Sequence, residues 1–121
     1  MPFNSATEQL RALQHKDATS LDLVEATIAR IEEVDGNINA VAIRDFDRAR
    51  QAARDADRER AAGGQRPLLG LPVTVKEAFD VEGMTTTWGL PGTHPPACTD
   101  SALVERLRAA GAIILEKLMS R

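Results

Sequence analysis

Two short apolar runs constrain this chain most: Leu68-Leu69-Gly70-Leu71-Pro72-Val73-Thr74-Val75, and Ala112-Ile113-Ile114-Leu115. The first reads as a turn feeding a buried strand that ends in charge at Lys76-Glu77. The second reads as a buried strand entered from Gly111. Helical patterns stand before and between them. Ser5 and Glu8 have capping-box spacing for a short helix over about 5–15. Thr19 and Asp22 repeat that spacing ahead of Leu23 or Val24, Ile28, Ile31 and Val34, which recur at helical intervals of three and four. Asp35-Gly36-Asn37 is expected to stop this second helix, with Ile38 to Ile43 forming a mostly buried strand.

From Asp45 to Ala62 an Ala-rich run carries Asp47–Arg50, Arg54–Asp57 and Asp55–Arg58 at i,i+3, which predicts a helix with a solvated charged face. Gly63-Gly64-Gln65-Arg66-Pro67 breaks it. Phe79 to Cys98 is a long aperiodic segment of Gly, Thr, Pro and small apolar residues, more typical of a functional loop than of a connector. Thr99 or Asp100 can cap a last helix whose Leu103, Val104 and Leu107 face inward, and Gly111 supplies the left-handed residue that ends it. The order helix, helix, strand, helix, strand, loop, helix, strand implies parallel pairing through crossover helices. The fold class is α/β, and residues 1–62 form a helical region with one strand ahead of the lysine-bearing strand, loop, helix and strand of 63–121.

With 121 residues, 43% of them hydrophobic, the chain supports one domain or part of a larger one. Three Phe, one Trp and no Tyr make for an aliphatic core. A net charge of −3 offers no broad positive field for nucleic acid or anionic lipid. No stretch approaches the length of a membrane span and the first residues lack a secretory pattern, so the expected compartment is the cytoplasm. Cys98 is the sole cysteine, and His15 and His94 are the only imidazoles, so neither a disulfide nor a Cys/His zinc site is expected. Cys98 paired with His94 as a nucleophile is outweighed by the plainer reading of two loop residues, because nothing nearby would orient the imidazole.

By itself, Lys76 reads as a strand-end lysine with its ammonium in water. The larger pattern changes that reading. Leu69-Gly70-Leu71-Pro72-Val73-Thr74-Val75-Lys76-Glu77, then Gly83-Met84-Thr85-Thr86-Thr87-Trp88-Gly89, then Asp100 to Leu107 and Ala109-Ala110-Gly111-Ala112 resemble, in order and spacing, the amino-terminal third of the amidase signature family. The segment from Thr19-Ser20 to Val41 is similar to that family's second helix and first strand.

The resemblance implies an incomplete mixed, largely parallel sheet with flanking helices. It also implies hydrolysis of a carboxylic amide by a Ser-cisSer-Lys triad, with no cofactor and no metal. Lys76 matches the catalytic lysine. In such a triad the amine must be neutral while the serine attacks, and moving a lysine from about 10.4 to about 7–8 costs the charged form roughly 3–5 kcal/mol, so burial of Lys76 is expected in an intact enzyme.

The departures from the family pattern are as specific as the matches. The Gly- and Ser-rich loop that supplies both serines and the oxyanion donors belongs downstream of Ile113-Ile114-Leu115, and none of Ser5, Ser20, Ser101 and Ser120 stands in such a setting. Ser101 reads as a helix-start residue. Glu116-Lys117-Leu118-Met119-Ser120-Arg121 stands where the family commonly has a Gly-Lys-Thr-Asn-like turn. Glu77 replaces a frequent Asp, and Gly89-Leu90 a frequent Gly-Ser. The threonines at 85–87 are expected to hydrogen-bond within the loop, and Trp88 to cap the core.

The chain is therefore expected to carry the lysine of an amidase acting on a small amide, and to be inactive alone. The competing expectation is a non-catalytic amidase-like scaffold, a split-protein module or a homodimer associating through an exposed sheet edge. The amidase component of a tRNA-dependent amidotransferase is a further branch of the same family.

Overall fold

The computed structural model describes residues 5–38 and 41–119, with the side chains of 41–43 left undescribed. Helices α1 (Ala6–Gln14) and α2 (Ser20–Ile38) lead into β1 (Val41–Arg44). Then come α3 (Phe46–Ala61), β2 (Pro72–Lys76), α4 (Ala102–Ala109) and β3 (Ile113–Leu118). The expected element order is present.

Local chemistry sets the helix starts. Ser5 Oγ accepts from the Glu8 amide at 3.1 Å, and Thr19 and Asp22 cap each other's amides reciprocally at 3.0 Å. Asp57 does not pair with Arg54 as the spacing implied. It reaches across from α3 and accepts from the Ser20 and Leu21 amides at 2.7 and 3.2 Å, where two otherwise unpaired donors at a helix start win over a solvated guanidinium. Asp47–Arg50 and Asp55–Arg58 form as expected, on the exposed face.

Asp35-Gly36-Asn37 does not end α2, which continues to Ile38. Asp35 lies on the buried side of the helix, 7% exposed, and its carboxylate accepts from Arg44 of β1 at 2.7 Å. That anchorage outweighs the roughly 1 kcal/mol that a glycine costs inside a helix. The expected strand therefore starts at Val41 rather than Ile38. Its inner positions 39 and 40, and the burial of 41–43, lie outside the described residues.

The sheet has the order β1-β3-β2. β2 runs parallel to β3, whereas β1 runs antiparallel to it, so the general parallel pairing expected from the element order holds for one of the two pairs. β3 is also longer than the apolar run that announced it, since Glu116, Lys117 and Leu118 continue the ladder. Between Val73 and Thr74 the register slips by one. Val73 lies opposite Ile114 but Thr74 lies opposite Glu116, which leaves Leu115 as the extra residue of a bulge.

Helices cover both faces. Val24, Ile28 and Ile31 of α2 and Ala49, Ala53 and Ala56 of α3 pack with Leu69, Ile113 and Leu115 on one side. Val104 of α4 packs with Val75, Val81, Met84 and Ile114 on the other. Ser101, rather than Thr99 or Asp100, caps α4, and Leu103 is 43% exposed instead of facing inward, because Val104 and Leu107 already fill the stripe that meets the sheet. Gly111 ends this segment at φ +100°. A Cβ there would lie 2.5 Å from Leu69 Cα, so only glycine lets the two parallel strands start side by side.

Glu116 is 3% exposed, and its Oε2 has no hydrogen-bond partner among the described residues. Burial raises its pKa from 4.5 to about 7, with Arg44 opposing and Asp35 adding to the rise. The folded chain thus holds this proton over a range in which the unfolded chain has released it, so stability falls as pH rises from about 4.5 to 7.

These contacts can be tested by substitution. Asp57→Ala is expected to lower unfolding stability by about 1–2 kcal/mol in urea titration, through loss of the α2 cap. Glu116→Gln is expected to match the parent near pH 4.5 and to exceed it at pH 8 by up to about 3 kcal/mol; a pH-independent difference in the same titration would refute the assignment.

Candidate active site around Lys76

β2 is a strand because Val73 and Val75 alternate with Thr74 and Lys76, and the side chains of successive residues fall on opposite faces. Val75 is buried in the α4-side cluster. Lys76 therefore projects to the other face, at the carboxyl end of an edge strand. It is exposed there, and its side chain makes no hydrogen bond or ion pair among the described residues. Two shallow surface depressions of about 200 Å³ lie elsewhere, one along α1 and one between α3 and α4.

The loop that leaves Lys76 is tied down by buried charge. Glu77 is 2% exposed, and its carboxylate accepts from the Thr87 amide at 2.6 Å and from Thr87 Oγ1 at 3.3 Å. Lys117 of β3 is wholly buried. Its Nζ donates to Thr85 O and Thr86 Oγ1, both at 2.8 Å, and Thr86 Oγ1 in turn donates to Asp80 at 2.7 Å. Burial pushes the Lys117 pKa down, while Glu77 and Asp80 pull it back up. The bulge explains how Lys117 arrives there. Strict alternation from Ile113 and Leu115 would aim it at α2 and α3, whereas the slipped register sets it opposite Val75, on the α4 side.

Farther along, backbone bonds from Gly83 N to Ala97 O and from Ala97 N to Met84 O, both 3.0 Å, close the loop on itself, and Glu82 N donates to Asp100 at 2.8 Å. Thr86 and Thr87 do hydrogen-bond within the loop, to Asp80 and Gly89, as expected, whereas Thr85 takes part through its backbone carbonyl, which accepts from Lys117. Trp88 does not cap the core: it sits at φ +55° with 68% of its surface exposed, because the interior beneath the loop is already filled by Val81, Met84 and Lys117. Leu90 is likewise 63% exposed.

The remaining nucleophile candidates have other roles. Ser5 and Ser101 cap helices, and Ser20 Oγ donates to Gly70 O at 2.6 Å from a buried position. Ser120 lies outside the described residues. His94 Nε2 is 3.3 Å from Leu90 O, and Cys98 is exposed. Among the described residues no cluster of three or more His, Cys, Asp or Glu side chains is placed to hold a metal, and no helix is long and apolar enough to cross a membrane.

Lys117 and the burial of Glu77 are what reading the sequence missed. The signal was Leu118, an apolar residue after two charges, which shows that the strand had not ended at Leu115.

The Amidase family model matches residues 22–119. The chain is 40% identical over 117 residues to the putative amidase AmiB2 of Mycobacterium tuberculosis strain H37Rv, covering 97% of this chain and 25% of that protein. It is 39% identical over 111 residues to the putative amidase AmiA2 of Mycobacterium bovis, covering 92% of this chain and 23% of that one. Among solved structures, the native peptide amidase of Stenotrophomonas maltophilia superposes with a TM-score of 0.88 at 29% identity, over 97% of this chain and 25% of its own. The chain thus spans about a quarter of the length of these relatives. With its elements in the same arrangement and its sequence matched from α2 to the end of β3, this chain belongs to the amidase family.

Proposed function

We propose that this chain supplies Lys76 as the ultimate base of a Ser-cisSer-Lys amidase, and that it does not hydrolyse amides alone. The observation that carries the reading is the position of Lys76: the last residue of a strand paired in parallel with β3, at the carboxyl end of that pair, where α/β sheets place ligands. In the proposed reaction the attacking serine adds to the amide carbonyl while its proton passes through the second serine to the neutral Lys76 amine. The amine or ammonia leaves on taking a proton back, and water then attacks the acyl-enzyme by the same route to release the acid. The exposure of Lys76 here fits a site that is closed by further protein, since this chain covers only 25% of its relative AmiB2. A dry environment for the amine would come with that closure.

A second reading has its own support. Among the described residues β2 has one neighbour in the sheet, so it is an edge strand, and the loop that follows it carries exposed Phe79, Trp88 and Leu90. An edge of this kind favours association with a second copy of the chain or with another protein.

The purified chain is expected to release no ammonia from simple aliphatic or aryl amides, and stoichiometric acylation of one of its serines would overturn the proposed incompleteness. Substituted for the matching quarter of the Stenotrophomonas peptide amidase, the chain should give a folded hybrid whose turnover falls by about 10²–10⁴-fold on Lys76→Ala. Undiminished turnover in that variant would remove Lys76 from the mechanism. Sedimentation of the chain alone tests the second reading: association that grows with concentration is expected, and a single monomeric species throughout would count against it.

A further inference from the structure

We propose that Lys117 is a positioning residue: from inside the sheet it holds residues 80–87 of the loop after Lys76, and so fixes where Trp88 stands beside the end of β2. The inference rests on the reading of Lys76 as the catalytic base, since that is what gives the place of Trp88 a functional meaning.

Three observations converge on it. First, Lys117 is the largest fully buried side chain among the described residues, where the acceptors of its ammonium, Thr85 O and Thr86 Oγ1, lie in the loop rather than in a helix or strand. An apolar side chain of similar volume would fill the same space without the desolvation cost, so packing alone does not account for a cation there. Second, consecutive residues of the loop are anchored from different strands. Thr86 is bound to Lys117 of β3, and Thr87 to Glu77, which follows β2. Third, Trp88 comes next, in the left-handed region at φ +55° that non-glycine residues rarely adopt, and it is mostly exposed. Such a conformation persists only where its surroundings impose it.

Little packing holds the indole, so the anchors of the preceding two residues must hold the backbone. Gly89 N, donating to Thr87 Oγ1 at 3.1 Å, completes the turn around Trp88. The sequence of contacts then runs from Lys117 through Thr86 and Thr87 to Trp88, and returns through Glu77 to its neighbour Lys76.

Trp88 is the only tryptophan, so its fluorescence reports this loop alone. In the folded chain, Lys117→Met is expected to lower Trp88 anisotropy and to speed hydrogen exchange of the Thr87 amide by about ten- to a hundredfold, the effect of losing hydrogen bonds to a charged group. The Ala53 amide, in the α3 core, should change far less, and Lys117→Arg, which keeps donors and charge, should restore part of the Thr87 protection. If Lys117→Met also loses protection at Ala53, Thr86→Val provides the test: it removes one acceptor, and Trp88 anisotropy should fall while Ala53 stays protected.

Unchanged Trp88 anisotropy in both variants, or exchange that rises equally at Thr87 and Ala53 in both, would overturn the proposal. Lys76→Ala should leave every one of these readouts as in the parent. None of them depends on turnover, so a failure of Lys76 as base and a failure of Lys117 as anchor are seen separately.

Discussion

β3 runs between two strands and between two layers of helix, and a strand in that position offers its polar side chains almost no route to water. The rest of the chain is arranged around this constraint. On one face Ile113 and Leu115 receive α2 and α3, whose alanines at 49, 53 and 56 allow the helices to approach closely. On the other, Ile114 receives α4. The two charged residues near the end of the strand must then find internal partners. Glu116 faces Arg44 and Asp35 and retains its proton up to about neutral pH, and Lys117 turns to the loop oxygens of Thr85 and Thr86.

Lys76 and Lys117 lie near one another on adjacent strands and have opposite surroundings. Val75 is paired with Lys117 and Lys76 with Leu118, so a single residue of offset separates an exposed amine from one that is wholly buried. Period-two alternation alone explains Lys76. Lys117 needs the bulge as well, since without the extra residue its charge would be driven into the aliphatic cluster between sheet and helices. The bulge thus separates an exposed amine from a buried one hydrogen-bonded to the loop.

Most of the scaffold could be read from the residues alone. Capping pairs gave the starts of α1 and α2, Gly63-Gly64 and Gly111 marked the ends of α3 and α4, and the apolar runs located β2 and β3. The Lys76 run, set among its dispersed companions, carried the family assignment. What stayed hidden depended on contacts between segments distant in the chain. Asp57 looked like half of an i,i+3 pair, and its preference for the start of α2 arises only when α3 lies across that end. Asp35-Gly36-Asn37 has the composition of a stop, and only Arg44 shows why the helix continues. The antiparallel seating of β1 leaves no mark in local pattern. The burial of Lys117 follows from a register slip against β2, and a lone strand sequence has no register.

The close approach of Gly111 to Leu69 bears on how the chain reaches this state. Backbone bonds from Leu68 N to Ala110 O and from Gly70 N to Gly111 O, at 2.7 and 2.9 Å, join the entrances of the two parallel strands, and the segment between them contains α4 and the entire Lys76 loop. Closing so long a segment has an entropic penalty that is met before the ladder between β2 and β3 contributes any stabilisation. Formation of α4 shortens the effective span, so zippering of the parallel pair is expected to follow it, late in folding, with the loop after Lys76 among the last parts to settle.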